Sequence, residues 1–121
     1  MGEFLPRFAP GANVTFTASA TITGGQLVAI TGDRTVAPAG AGSAAWIGVA
    51  TNDTASGAKL AVASGCVVEL TSSGAIAAGA NVIAGAAGVV VTIGAETDYS
   101  KIVGVALSAA ASNKVLVKLA R

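Results

Sequence analysis

The chain has 121 residues and a formal charge of +1, from seven Lys/Arg and six Asp/Glu, with one cysteine and no histidine. That length suits one domain around one core; a lone cysteine excludes an internal disulfide and a Cys-based zinc cluster, and the missing histidine removes the commonest general base, His-dependent triads and the usual metal ligand. Of the 121 residues, 28 are Ala and 16 are Gly, so the core is expected to be thin and association with other proteins to add to the burial.

The first segment, MGEFLPRFAPG, reads as an extended arm over residues 1–12 ahead of a single β domain at 13–121. Pro6 and Pro10 fix φ and hold it extended, while Phe4, Leu5 and Phe8 are too apolar to sit in water. The arm should therefore pack on its own domain, a neighbouring subunit or a different protein. Phe4, Leu5, Pro6, Arg7, Phe8 and Pro10 are its expected contact residues. Glu3, Pro6 and Arg7 interrupt the apolar stretch a secretion signal needs.

From there the chain reads as short β-branched runs between turns. NVTFTA places Val14 and Phe16 on one face and Thr15 and Thr17 on the other; QLVAIT, AWIGVA, KLAVAS, CVVELT, GVVVTI, KIVGVAL and NKVLVKLA follow. In NKVLVKLA, Val115, Val117 and Leu119 alternate with Leu116 and Lys118. Turns fall at TGGQ, TGDR, SSGA and AAG, where glycine supplies positive φ. The alanine-rich APAGAGSAA and SAAAS pieces are too interrupted or too short for more than one helical turn. The apolar window Ala75–Val91 holds Asn81 and three glycines and little Leu, Ile or Phe, so it reads as strands and turns instead of a membrane span.

Candidate chemistry is sparse. Cys66, in GCVVEL, reads as a small buried hydrophobe. Glu96 and Asp98, the one close acidic pair, fall in GAETDYSK, which reads as a polar hairpin tip without the oxygen-rich spacing of a calcium loop. No glycine cluster forms a phosphate cradle. The basic residues, scattered from Arg7 to Arg121, make no nucleic-acid footprint. No enzyme, cofactor, metal site, nucleic-acid partner or membrane partner is expected.

Two internal matches point to a repeat. GANV occurs at residues 11–14 and 79–82. IGVATNDTASGAKLAV, at 47–62, aligns without gaps on VGVALSAAASNKVLVK, at 103–118, with identities at Gly48/Gly104, Val49/Val105, Ala50/Ala106, Ala55/Ala111, Ser56/Ser112 and Leu60/Leu116. The reading is an all-β small barrel or sandwich built from two similar halves, about 11–62 and 79–118, that share a core. Gly48 and Gly104, inside strands, suit a bulge, a barrel corner or the close approach of another backbone.

In this order, FxPGxxVTFTASATITGGQLV, WIGVATNDTASGAKLAVASGCVVELT, GAIAAGANV and IVGVALSAAASNKVLVKL resemble the head decoration, or capsid cement, proteins of tailed bacteriophages over nearly the whole chain. The resemblance implies a β-rich fold without catalysis, synthesis in the host cytoplasm, and binding to the exterior of the virion capsid. There the protein would stabilise the expanded head by bridging major capsid protein subunits, as a homo-oligomer, with a trimer suspected. The other class the residues allow is an adhesive or carbohydrate-binding β module. Sugar platforms want exposed aromatics, and beyond the three Phe only Trp46 and Tyr99 are available.

Overall fold

A computed structural model describes residues 13–120. It contains ten strands: β1 (Val14–Ala18), β2 (Leu27–Gly32), β3 (Thr35–Pro38), β4 (Trp46–Ala50), β5 (Lys59–Ala63), β6 (Val67–Thr71), β7 (Asn81–Ala84), β8 (Val90–Thr92), β9 (Ile102–Ala106) and β10 (Lys114–Leu119). Two single 3-10 turns lie at Ala86–Gly88 and Tyr99–Lys101. The fold is all-β, as expected. The sequence reading missed β3, four residues long and ending at Pro38, which pairs with Val28 at the strand's last position.

β1 to β5 form a closed barrel in the order β1-β3-β2-β4-β5. It closes through a parallel pair, Thr17 with Thr35 and Ala18 with Val36. β6 to β10 form a second sheet in the order β6-β10-β9-β7-β8, with one parallel bridge, Ser72 to Val90, drawing its ends together. Substituting β6–β10 for β1–β5 reproduces the pairing pattern. β2 pairs antiparallel with β4 and shifts register after Val28; β7 pairs antiparallel with β9 and shifts after Val82. Connecting bonds match too. Gly25 N–H donates to the Ala50 carbonyl at 2.9 Å and Gly79 N–H to that of Ala106 at 2.7 Å; Ser19 N–H donates to Val36 at 2.8 Å and Ser73 N–H to Val90 at 3.0 Å.

These pairings correct two details of the internal match. Val14 of the first GANV opens β1, whereas Val82 of the second lies in β7, whose counterpart is β2. The segment equivalent to Gly79–Val82 is Gly25–Val28. Further on, Ala50 pairs with Val62 and Ala106 with Val117, so the last strand slips by one residue against the ungapped alignment. Leu60 thereby matches Val115, both buried, while Leu116 is exposed. A strand's inward set is fixed by its period of two, so a loop shorter by one residue moves the alignment, not the core.

Alternation fills the interiors. β10 buries Val115, Val117 and Leu119 and exposes Leu116 and Lys118, as its sequence predicts. Ala18, Ile22, Val28, Val36, Ala50, Leu60 and Val62 fill the first barrel, with Phe16 and Ile47 packed against them. The second sheet's interior, including Leu70, Val82, Val90, Val103 and Val117, continues onto the outer side of β2 and β4, where Leu27, Ala29, Trp46 and Val49 join the same cluster. The two halves are thus joined by an apolar seam with Trp46, 0% exposed, inside it. Backbone contacts complete the seam: Gly88 N–H donates to the Ala39 carbonyl at 2.8 Å, Gly42 N–H to that of Ala84 at 2.8 Å, and Gln26 Nε2 to that of Ala87 at 2.9 Å.

Gly48 and Gly104 occupy equivalent places beside the two register shifts. A Cβ at Gly48 would run into the Ala63 carbonyl oxygen, and one at Gly104 into that of Lys118. Close approach of a neighbouring backbone is therefore what requires glycine at both positions.

Candidate functional site

The expected contact residues of the arm, Phe4, Leu5, Pro6, Arg7, Phe8 and Pro10, lie outside the described residues. Among the others the sequence singled out, Trp46 is buried in the seam between the halves and offers no surface platform, while Tyr99 is 69% exposed. Cys66 is half-buried against the larger core cluster.

Glu96 and Asp98 hold their own loop together. The Glu96 carboxylate accepts from the N–H groups of Asp98 at 3.0 Å and Thr97 at 3.1 Å and pairs with Lys101 Nζ at 3.1 Å. Asp98 accepts from the Ser100 hydroxyl at 2.6 Å and its N–H at 3.1 Å, capping the Tyr99–Lys101 turn. The Asp98 N–H and then the Lys101 ammonium hold the Glu96 carboxyl below its ordinary range. The Ser100 hydroxyl and N–H do the same for Asp98. Both carboxylates are thus engaged by local donors, as a polar hairpin tip requires. No group of three metal-ligating side chains and no pocket occur among the described residues.

What the surface offers is flat sheet. On the outer face of the second half, Val67, Lys118 and Val105 are cross-strand neighbours over β6, β10 and β9. Glu69 and Leu116 form the adjacent row, and Leu107 N–H donates to the Leu116 carbonyl at 2.7 Å. Val67, Val105, Leu107 and Leu116 are all exposed. Equivalent positions on β1 and β5, Thr15 and Ala61, are small or polar. The sequence does carry this signal: VVEL and VGVAL are apolar at both parities, which a strand with one wet face does not need.

The halves also differ at an edge. In the first, β1 turns alternate backbone groups toward β3, and Arg34 Nη2 donates to the Thr15 carbonyl at 3.2 Å, covering the part of that edge beyond the β3 pairing. In the second, β6 ends the sheet, and the residue standing where Arg34 stands, between β7 and β8, is Gly88. The Glu69 edge therefore has no such cover from its own hairpin.

A family model described as phage cement protein matches residues 8–121. Comparison with curated proteins gave no match. Among solved structures, the N base of head fiber gp8.5 in bacteriophage phi29 is similar over 90% of this chain and 93% of that chain, at 21% identity and a TM-score of 0.70. At that identity the likeness is one of fold.

Proposed function

The chain belongs to the phage cement proteins, and from that premise we propose that it binds the outer surface of a phage head and stabilises the expanded shell by bridging neighbouring major capsid protein subunits. The observation that carries this reading is the family match over residues 8–121, which takes in the whole described β domain. The role we assign is structural, without catalysis, on the capsid exterior of the virion after synthesis in the host cytoplasm.

Two closed or nearly closed β units sharing a seam make a stiff body. A stiff body spanning two shell subunits adds contact area that exists only in the assembled arrangement, so binding favours that arrangement by linkage. We assign it a homotrimer, in which several weak contacts act together through their effective concentration. Residues 1–12 act as an extended arm that touches the major capsid protein or an adjacent subunit through Phe4, Leu5, Pro6, Arg7, Phe8 and Pro10. The remaining residues, 13–121, form one domain descended from a duplicated unit; the matched pairing of β1–β5 and β6–β10 supports that descent. The exposed row of Val67, Val105, Leu107 and Leu116 is a further contact candidate, since apolar surface of this kind marks interaction sites.

Mixing the purified protein with expanded empty capsids and measuring co-sedimentation tests the reading. Saturable binding to expanded shells supports it, and absence of binding overturns it. Removal of residues 2–9 is expected to weaken attachment while leaving the β domain folded; full occupancy after truncation would reject the role of the arm.

A further inference from the structure

We propose that, in the free chain, arm residues 5–9 add to the open edge of β6 as an antiparallel strand, in the register that sets Arg7 opposite Glu69. The proposal concerns the protein before it meets any shell and stands independently of the capsid-binding reading.

The chain's own geometry brings the arm to this edge. β1 and β5 are antiparallel, with Val14 opposite Val62, so the arm enters β1 at the end of the barrel where β5 leaves for β6. Val62 and Val67 are separated by five residues, a reach of at most about 17 Å, and residues 4–13 span up to about 33 Å. Arriving at Val14 while β6 departs from Val67, the arm lies antiparallel to β6 when it runs alongside.

The edge is defined by its hydrogen bonds. Ser72 N–H donates to Asn113 and the Cys66 carbonyl accepts from Leu119 at 3.0 Å, so the even-numbered residues 66–72 face β10. By alternation the backbone groups of Val67 and Glu69 face the other way. β6 is the last strand of its sheet, and its counterpart β1 receives the Arg34 guanidinium where β6 faces Gly88. The side chain of Glu69 is exposed and has no ion-pair partner among the described residues.

One register satisfies every residue type in FLPRFAP. Arg7 opposite Glu69 places Ala9 opposite Val67, and these odd positions carry the N–H groups that reach β6. Pro6 and Pro10 both fall on even positions, where no donor is needed and where proline stops a further strand from adding. Side chains alternate with the same period. Arg7 joins Glu69 on the wet face, while Phe8 lies opposite Val68 and Pro10 opposite Cys66, both half-buried residues packed against the core. An opposite-charge pair directly across two strands fixes register as well as adding attraction.

Amide hydrogen exchange on the full-length chain tests this. The Val67 and Glu69 amides are expected to exchange at least about 100-fold more slowly than an unstructured chain. Arg7→Pro should speed both by at least about tenfold while leaving the Val117 amide unchanged; Pro6→Ala should do nothing to them. Arg7→Glu and Glu69→Arg should each speed the two amides, and the double variant should restore them. Unprotected Val67 and Glu69 amides in the full-length chain would overturn the proposal, as would indifference to Arg7→Pro. Protection that vanishes on dilution would also overturn it, because it would assign the edge to a second copy.

Discussion

Adding one methyl group at Gly104 is expected to damage the fold more than its size suggests. The ideal Cβ would overlap the Lys118 carbonyl oxygen and lie 2.9 Å from both Lys118 C and Val117 Cγ1. Its obstacle is paired backbone, not the free end of a side chain, so relief requires β9 and β10 to separate. Their ladder comprises Val117–Ala106, Lys118–Val105 and Leu119–Gly104. Losing one or two of its bonds costs about 1 kcal/mol each, and the residual overpacking adds about 1–3 kcal/mol. We expect Gly104→Ala to cost about 3 kcal/mol, on the order of 10 °C in Tm for a domain of this size. Gly48→Ala should behave alike, since its Cβ would overlap the Ala63 carbonyl and come within 2.8 Å of Val62 Cγ1. Gly79→Ala is the control. It has φ +84 and nothing within 4 Å, so only left-handed strain remains, about 1–2 kcal/mol. Urea unfolding followed by the fluorescence of Trp46, the sole tryptophan and fully buried, reads all three. A Gly104→Ala loss no larger than that of Gly79→Ala would refute the close-approach argument.

Ser72 is buried and its Oγ has no hydrogen-bond partner among the described residues, while its counterpart in the first half is Ala18; Ser72→Ala should therefore be neutral or stabilising by up to about 1 kcal/mol, and a clear drop in the urea midpoint would contradict this. Ser112 and Asn113, at φ 51 and 60, form a two-residue hairpin between Ala111 and Lys114, so Asn113→Gly should raise the thermal midpoint slightly, by about 0.5 kcal/mol of stability. The folded pKa values of Glu96 and Asp98 lie below their ordinary values. Their contribution is therefore present above the ordinary carboxylate range and is lost as pH falls through the lowered folded values. An NMR titration should show the Ser100 amide signal moving with Asp98 protonation below the ordinary range, with Asp98→Asn removing the step.

Much of this architecture could be read before folding. NKVLVKLA gives its own inward set, Val115, Val117 and Leu119, because alternation in a half-buried strand is a local property. The repeated hydrophobic-Gly-Val-Ala motif located β4 and β9 and their tight glycines, since a backbone contact that excludes Cβ leaves its mark in residue type. Glu96 and Asp98 read as a hairpin tip because both are satisfied by donors within five residues. The arm's contact residues were legible as a composition, two prolines among three large apolar side chains, but composition alone named no surface for them.

The sequence by itself determined strand chemistry, turn placement, the absence of histidine-based chemistry and the similarity of two halves, all of which depend on residue type over short spans. Only the tertiary structure decided that Gly25–Val28 answers Gly79–Val82, that Trp46 lies inside a seam, and that Val67, Val105, Leu107 and Leu116 share one face. These depend on which strands pair and in what register. Cross-strand pairing joins residues far apart in the chain, and a shift of one residue exchanges inside for outside, so a local reading of an alanine- and glycine-rich chain has too few bulky side chains to fix it.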